Sequence, residues 1–152
     1  MTKTEKTFKL GPLQKRWVKL LKTQGHLKGT GELGYKRPGP KSIPELCCLG
    51  LAGLLVLGNC KWDGAYLIET SSDNVAFLKC SYGELGLFSG EGKINYPKEF
   101  PLNPIAGEVE NLTELNDGII NGGDELIFQP TPWVDIAYMI EAYPELFFNE
   151  PK

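Results

Sequence analysis

Ser42-Ile43-Pro44-Glu45-Leu46-Cys47-Cys48-Leu49-Gly50-Leu51-Ala52-Gly53-Leu54-Leu55-Val56-Leu57 is the stretch whose reading decides the fold. Ser42 and Glu45 have capping-box spacing: the hydroxyl accepts from the free amides of a first helical turn, and the glutamate reaches back. The spacing therefore predicts a helix over 43–57. From Leu46 to Leu57 the run is apolar on every side, so this helix must be buried on most of its surface. At 12 residues the run falls well short of the roughly 20 that a membrane helix needs. Gly50 and Gly53 each cost about 1 kcal/mol of helix propensity, which close packing of a neighbouring element would explain. Gly58-Asn59 ends the helix.

On the N-terminal side, Pro12 suits a first helical position, and Leu13, Trp17, Leu20 and Leu21 repeat at helical spacing up to Gln24-Gly25. Lys15, Lys19 and Lys22, with Arg16 beside them, follow the same spacing on another side. Residues 25–41 are rich in glycine and proline and read as a loop, with a short strand near Glu32–Lys36. On the C-terminal side, Ala65–Thr70 and Val75–Cys80 around Ser71-Ser72-Asp73-Asn74 predict a β-hairpin. Short helical turns are expected at 84–88 and 112–115, an irregular stretch over 90–107, turns at Asn116-Asp117-Gly118 and Asn121–Asp124, and a strand at Glu125–Phe128. Thr131 is placed to cap a last helix with Trp133, Ile136, Ala137 and Ile140 on its buried face. Pro144 ends that helix, and Leu146, Phe147 and Phe148 fold back onto the core or cover a partner.

The fold class expected is α+β: a single compact domain over 10–152, preceded by a polar tail at 1–9. A buried central helix packs against a β-hairpin or small antiparallel sheet and against N- and C-terminal helices. The chain has 152 residues, 41% of them hydrophobic, enough for a real core. Its net charge of −3 conceals a split. Residues 1–41 hold eleven Lys/Arg against Glu5 and Glu32, a net of +9; residues 42–152 hold five basic and seventeen acidic residues, a net of −12. A basic third on an acidic body points to a local contact with something anionic, or to contact with the protein's own acidic surface.

Four cysteines with no C-x-x-C, and His26 as the single histidine, exclude a pattern-based zinc site and any multi-histidine metal site. No metal and no cofactor is expected. Met1–Thr7 has no apolar stretch behind its charges, so no secretory leader is expected, and adjacent Cys47 and Cys48 fit buried thiols in a reducing compartment. On a helix these two diverge by about 100°, so at most one can face a cleft. Gly29-Thr30-Gly31-Glu32-Leu33-Gly34 spells G-x-G-x-x-G, but a helix precedes it and Arg37-Pro38-Gly39-Pro40 follows, the wrong context for a dinucleotide site. Gly34 to Ser42 is nearer to a phosphate loop, yet Pro40 interrupts it and proline has no N–H to offer. What survives is an anion site at the start of the central helix, built from Lys36, Arg37, Lys41 and Ser42 with Tyr35 beside them. Lys15, Arg16, Lys19 and Lys22 form a candidate partner surface. The carboxylates from Glu108 to Glu125 show no spacing tied to a reaction, and Asp117-Gly118 reads as turn chemistry.

The chain resembles a group of small proteins encoded by phages and prophages. The likeness rests on a tryptophan helix (Trp17 to Leu21), a Gly-rich basic segment (Lys22 to Gly34), Cys47-Cys48-Leu49-Gly50, Leu115-Asn116-Asp117, and the helix Trp133 to Ile140. Gly53 and Leu54 stand where the group often has another cysteine and an aspartate, and the stretch between Asp117 and Trp133 is longer than usual in it. The resemblance implies an accessory protein in the cytoplasm of the infected host and brings no catalytic site. The function expected is non-catalytic binding of a host protein or a small anionic ligand, counter-defence being one form. The alternatives are a small enzyme acting on a nucleotide or protein through the Gly-rich loop with His26 or a cysteine, and a nucleic-acid-associated factor using the first helix. Nucleic acid is the less favoured partner, since the acidic body repels a long polyanion, and no membrane contact is expected.

Overall fold

A computed structural model of the chain describes residues 8–70, 82–95, 109–120 and 122–152. Helix α1 (Pro12–Thr23) starts and ends where the periodicity places it. Trp17, Val18 and Leu21 are buried on one face, while Lys15, Arg16, Lys19 and Lys22 are exposed. Gln14, also buried, is fully used. Its Oε1 accepts from the Gly11 amide at 2.9 Å, and its Nε2 donates to the carbonyls of Leu85 and Glu150 at 2.9 and 2.8 Å. The expected tail at 1–9 is too long at its C-terminal end: Phe8 is half-buried and its ring stacks on Phe148 at 6.3 Å. Residues 1–7 lie outside the described residues.

The decisive stretch departs from its reading. Glu45–Leu46 is not helix but strand β2, paired antiparallel with β1 (Gly34–Tyr35), Gly34 opposite Leu46 and Tyr35 opposite Glu45. Ser42 caps no helix; its hydroxyl donates to the Gly39 carbonyl at 3.0 Å. The helix begins later, as α2 (Cys48–Leu51), with Cys47 as its cap, and runs directly into a π-wound stretch, Ala52–Leu57. The local capping pattern loses because the ladder to β1 satisfies the backbone that the cap would have served. Burial is also less complete than expected. Leu54, Val56 and Leu57 are half-buried and Leu55 is exposed. The two glycines do mark close approaches: a Cβ on Gly50 would collide with the Leu33 carbonyl oxygen, and one on Gly53 with the Cys60 sulfur.

The expected strand at 65–70 is present, and a strand that the sequence reading omits precedes it. Strands β3 (Cys60–Asp63) and β4 (Tyr66–Glu69) pair from Cys60 opposite Glu69 to Asp63 opposite Tyr66, across a two-residue loop with Gly64 at φ +61°. The expected turn at 71–74 and strand at 75–80 lie outside the described residues. The sheet order is β2-β1-β4-β3, antiparallel throughout. The expected turn at 84–88 appears at Tyr82–Leu85 as a 3-10 turn. Helix α3 (Leu112–Asp117) runs through Asn116 and Asp117 and stops at Gly118, whose φ of +80° favours glycine. A small ribbon of β5 (Ile119–Ile120) and β6 (Leu126–Phe128) follows.

Helix α4 (Trp133–Ala142) buries the four residues its periodicity marks, Trp133, Ile136, Ala137 and Ile140. Pro132, not Thr131, holds the cap position, its carbonyl accepting from the Asp135 and Ile136 amides at 3.0 and 3.1 Å, while the Thr131 amide donates to the Leu115 carbonyl at 2.9 Å. Pro144 ends α4 and opens the short α5 (Pro144–Phe147). Leu146, Phe147 and Phe148 are buried in the same cluster as Trp17, Cys48, Leu112 and Trp133. The architecture is α+β, with helices packed against a small antiparallel sheet. Among the described residues no helix is long and apolar enough to cross a membrane.

Candidate functional site

The Gly-rich segment 29–34 is a packing device before it is anything else. A Cβ on Gly34 would lie 2.8 Å from Leu46 Cδ2 and 2.9 Å from Leu67 Cβ. The Leu33 carbonyl accepts from the Cys47 amide at 3.0 Å, and the Gly29 amide donates to Leu46 at 2.7 Å. These contacts seat the segment directly on β2 and the start of α2. A strand, not a helix, follows Gly34, which disposes of the dinucleotide reading. The phosphate-loop reading goes with it, because Lys41-Ser42 leads into loop and strand.

Between this segment and α3 lies a cleft of about 120 Å³. Leu33, Leu49 and Leu67 give it an apolar interior; Cys47, Thr113, Asp117, Glu32 and Tyr66 supply its polar lining. Of the adjacent cysteines, Cys47 faces this cleft, its sulfur accepting from the Gly50 amide at 3.2 Å, while Cys48 is fully buried. The expected divergence of about 100° along a helix does not apply, because Cys47 is the extended cap and only Cys48 is helical.

Behind the cleft, Asn116 is completely buried. Its Oδ1 accepts from the Cys48 amide at 3.1 Å and from the Trp133 indole at 2.8 Å. Its Nδ2 donates to the Gly29 carbonyl at 3.0 Å and to Asp117 Oδ1 at 2.7 Å. The Asn116 carbonyl accepts from Lys28 Nζ at 2.8 Å, and the Trp17 indole donates to the Cys48 carbonyl at 3.0 Å. The Trp17, Gly29, Cys-Cys, Asn-Asp and Trp133 motifs therefore converge on one network. Reading Asp117-Gly118 as turn chemistry alone misses this. The available signal is an asparagine next to apolar Leu115 in a helix too short to stand by itself.

Burial lowers the pKa of Lys28, opposed by the nearby charges of Asp117, Cys48 and Cys47. Burial also raises the Cys48 thiol well above its ordinary value; Cys47 and Asp117 push it the same way, and Lys28 opposes them. Cys48 is thus held as an inert thiol. His26 is exposed and makes no hydrogen bond among the described residues, so no nucleophile–histidine pair is assembled there. Among the described residues no group of three or more His, Cys, Asp or Glu side chains is placed to hold a metal.

Lys36, Arg37 and Lys41 are exposed on the loop joining β1 to β2, and none of them forms an ion pair among the described residues. One shallow depression runs from Arg37 to Ile43, and another joins Lys36 and Arg37 to Gly64 and Ala65. Tyr35 is half-buried with its ring 5.4 Å from that of Tyr66. Tyr66 in turn lines the cleft, so the tyrosine pair links the cleft to the basic loop. Ser42 contributes only its bond to Gly39, and the helix end expected beside it is absent, since α2 starts at Cys48. The basic row of α1 lies elsewhere, beside α4. Compared with known protein families, characterised proteins and solved structures, the chain matches none.

Proposed function

We propose that the chain is a phage-encoded accessory binding protein, acting in the host cytoplasm, that holds an anionic group of a host factor or of a small nucleotide ligand. Phage origin and location rest on the resemblance in the motifs that meet at Asn116. The binding reading rests on one observation: Lys36, Arg37 and Lys41 stand exposed and without ion pairs among the described residues, joined through Tyr35 and Tyr66 to an apolar cleft.

Size sets what the cleft can take. Sites for whole small molecules enclose about 300 Å³ or more, so a cleft of about 120 Å³ accepts an apolar or aromatic moiety, not an entire ligand. The anionic remainder then lies outward, over the loop cations, with direct ammonium and guanidinium contacts. Counter-defence follows as capping of a defence protein or sequestration of a nucleotide signal.

The test is affinity capture from infected host cells, with mass spectrometry of retained proteins and small molecules. The comparison is between the natural chain and a variant with Lys36, Arg37 and Lys41 all replaced by Glu. The variant should lose the retained species while keeping its melting temperature, because all three side chains are exposed. Equal retention would sink this site.

A second reading, a small enzyme acting on a nucleotide or protein, draws on Cys47 at the cleft. It requires turnover of the captured species, and turnover that survives Cys47→Ala removes the thiol from it.

A further inference from the structure

Lys15, Lys19 and Lys22 run along one side of α1 at spacings of four and three residues, a line of about 10 Å at 1.5 Å per residue. They line a shallow cleft with Leu10, Val18 and Glu141. Helix α4 supplies the far wall. Its Glu141 carboxylate pairs with Lys22, and the Lys22 ammonium lies 5.1 Å from the centre of the Tyr138 ring. Tyr138 and, one turn before it, Val134 are exposed. Lys15, Arg16 and Lys19 form no ion pair among the described residues.

We propose that this α1–α4 face docks an acidic helical segment of a partner protein, carrying carboxylates one turn apart and an apolar side chain between them. Charge complementarity identifies the partner. A carboxylate from a neighbouring helix already engages Lys22, and two further lysines continue the row at helical pitch. A second helix with acids at the same spacing matches that row step for step, because both share one rise per residue. Leu10 and Val18 in the cleft, with Tyr138 beside Lys22, give an apolar anchor a place to seat. A long polyanion fits less well, because it must continue past the row across a body that from residue 42 onward carries a net −12, whereas a few acids on one helix stay local to the lysines. This surface is separate from the Lys36–Lys41 loop, so either proposal can fail without the other.

The probe is a labelled alanine-based helical peptide with glutamates at spacings of four and three and a leucine between them. A second version carries glutamine, and a third lysine, in place of the glutamates. Fluorescence anisotropy with the full chain should show binding of the glutamate peptide that weakens with added salt. Lys15→Glu with Lys19→Glu should weaken it by about tenfold or more and should transfer preference to the lysine peptide, a reversal that loss of folding cannot produce. The Lys36/Arg37/Lys41 variant should bind it unchanged. Equal binding of the glutamine peptide, or no effect of the double substitution, overturns the proposal. Tighter binding of a short oligo-dT strand overturns it in favour of nucleic acid. Self-association of the chain that the double substitution abolishes overturns it in favour of a second copy.

Discussion

The indole of Trp133 donates to the side-chain carbonyl of Asn116 across 2.8 Å, with both residues buried. Removing the amide leaves the Trp133 indole and the Cys48 amide buried without a partner, and takes a donor from the part-buried Gly29 carbonyl. Each such orphan costs about 1–3 kcal/mol. Asn116→Ala should therefore destabilise by at least about 2 kcal/mol in urea unfolding, against a total that for domains is about 5–15 kcal/mol. Trp133→Phe should lose about 1–2 kcal/mol. The double variant should lose less than the two single losses together, since each removes the same bond.

Gly50→Ala sets helix propensity against packing. Alanine gains about 1 kcal/mol in a helix interior, but its methyl would overlap the Leu33 carbonyl oxygen, a backbone atom fixed by its bond to the Cys47 amide. Overpacking of this kind costs about 1–3 kcal/mol, and here no flexible side chain can give way. We expect a net loss, read as a melting temperature lower by about 2–6 °C. A variant as stable as the natural chain would show that segment 29–34 can lift off α2.

Alkaline pH acts in opposite senses on two neighbours. Cys48, raised on folding, stabilises the folded state relatively below the ordinary thiol value of 9.0 and loses that contribution as pH rises above it. Lys28, lowered on folding, carries a penalty while charged and sheds it as pH climbs from its folded value to 10.5. Stability curves between pH 8 and about 11 should therefore converge for Cys48→Ala and the natural chain. Those for Lys28→Met should fall progressively behind. Parallel curves for both variants would contradict these opposed shifts.

Thiol labelling should separate the adjacent cysteines. Cys48 is fully buried, its pKa is raised, and its thiol faces the Leu112 carbonyl at 3.8 Å, so it should react only through global unfolding. Cys47 borders the cleft and should react sooner than Cys48. Peptide mapping of a natively labelled sample decides it, and early modification of Cys48 would contradict its burial.

How far the sequence foretells the structure depends on where each element's partners lie. Helices α1 and α4 can be read almost residue by residue, because an amphipathic pattern records burial directly. The start of α2 cannot. Ser42 and Glu45 satisfy a local rule, but Glu45 is claimed by Tyr35 across the sheet, and local spacing holds no trace of that pairing. Strand β4 is legible, but its pairing with β3 is not foreseen although Asp63-Gly64 carries a strong turn signal; the longer polar run at 71–74 outweighs it in the sequence. Of the candidate site, the exposed cations are evident from charge alone. The cleft is not, since Cys47, Thr113, Asp117 and Tyr66 come together only in three dimensions.

The Asn116 network also has a consequence for the order of folding. Its partners Gly29, Cys48 and Trp133 lie 87, 68 and 17 positions away along the chain. Closing such loops is costly before their contacts form, so this junction should assemble late in folding. Replacing Asn116 should then accelerate unfolding far more than it slows refolding. The residue that ties the motifs together would act as a latch on the finished fold, setting how long the native state lasts once it has formed.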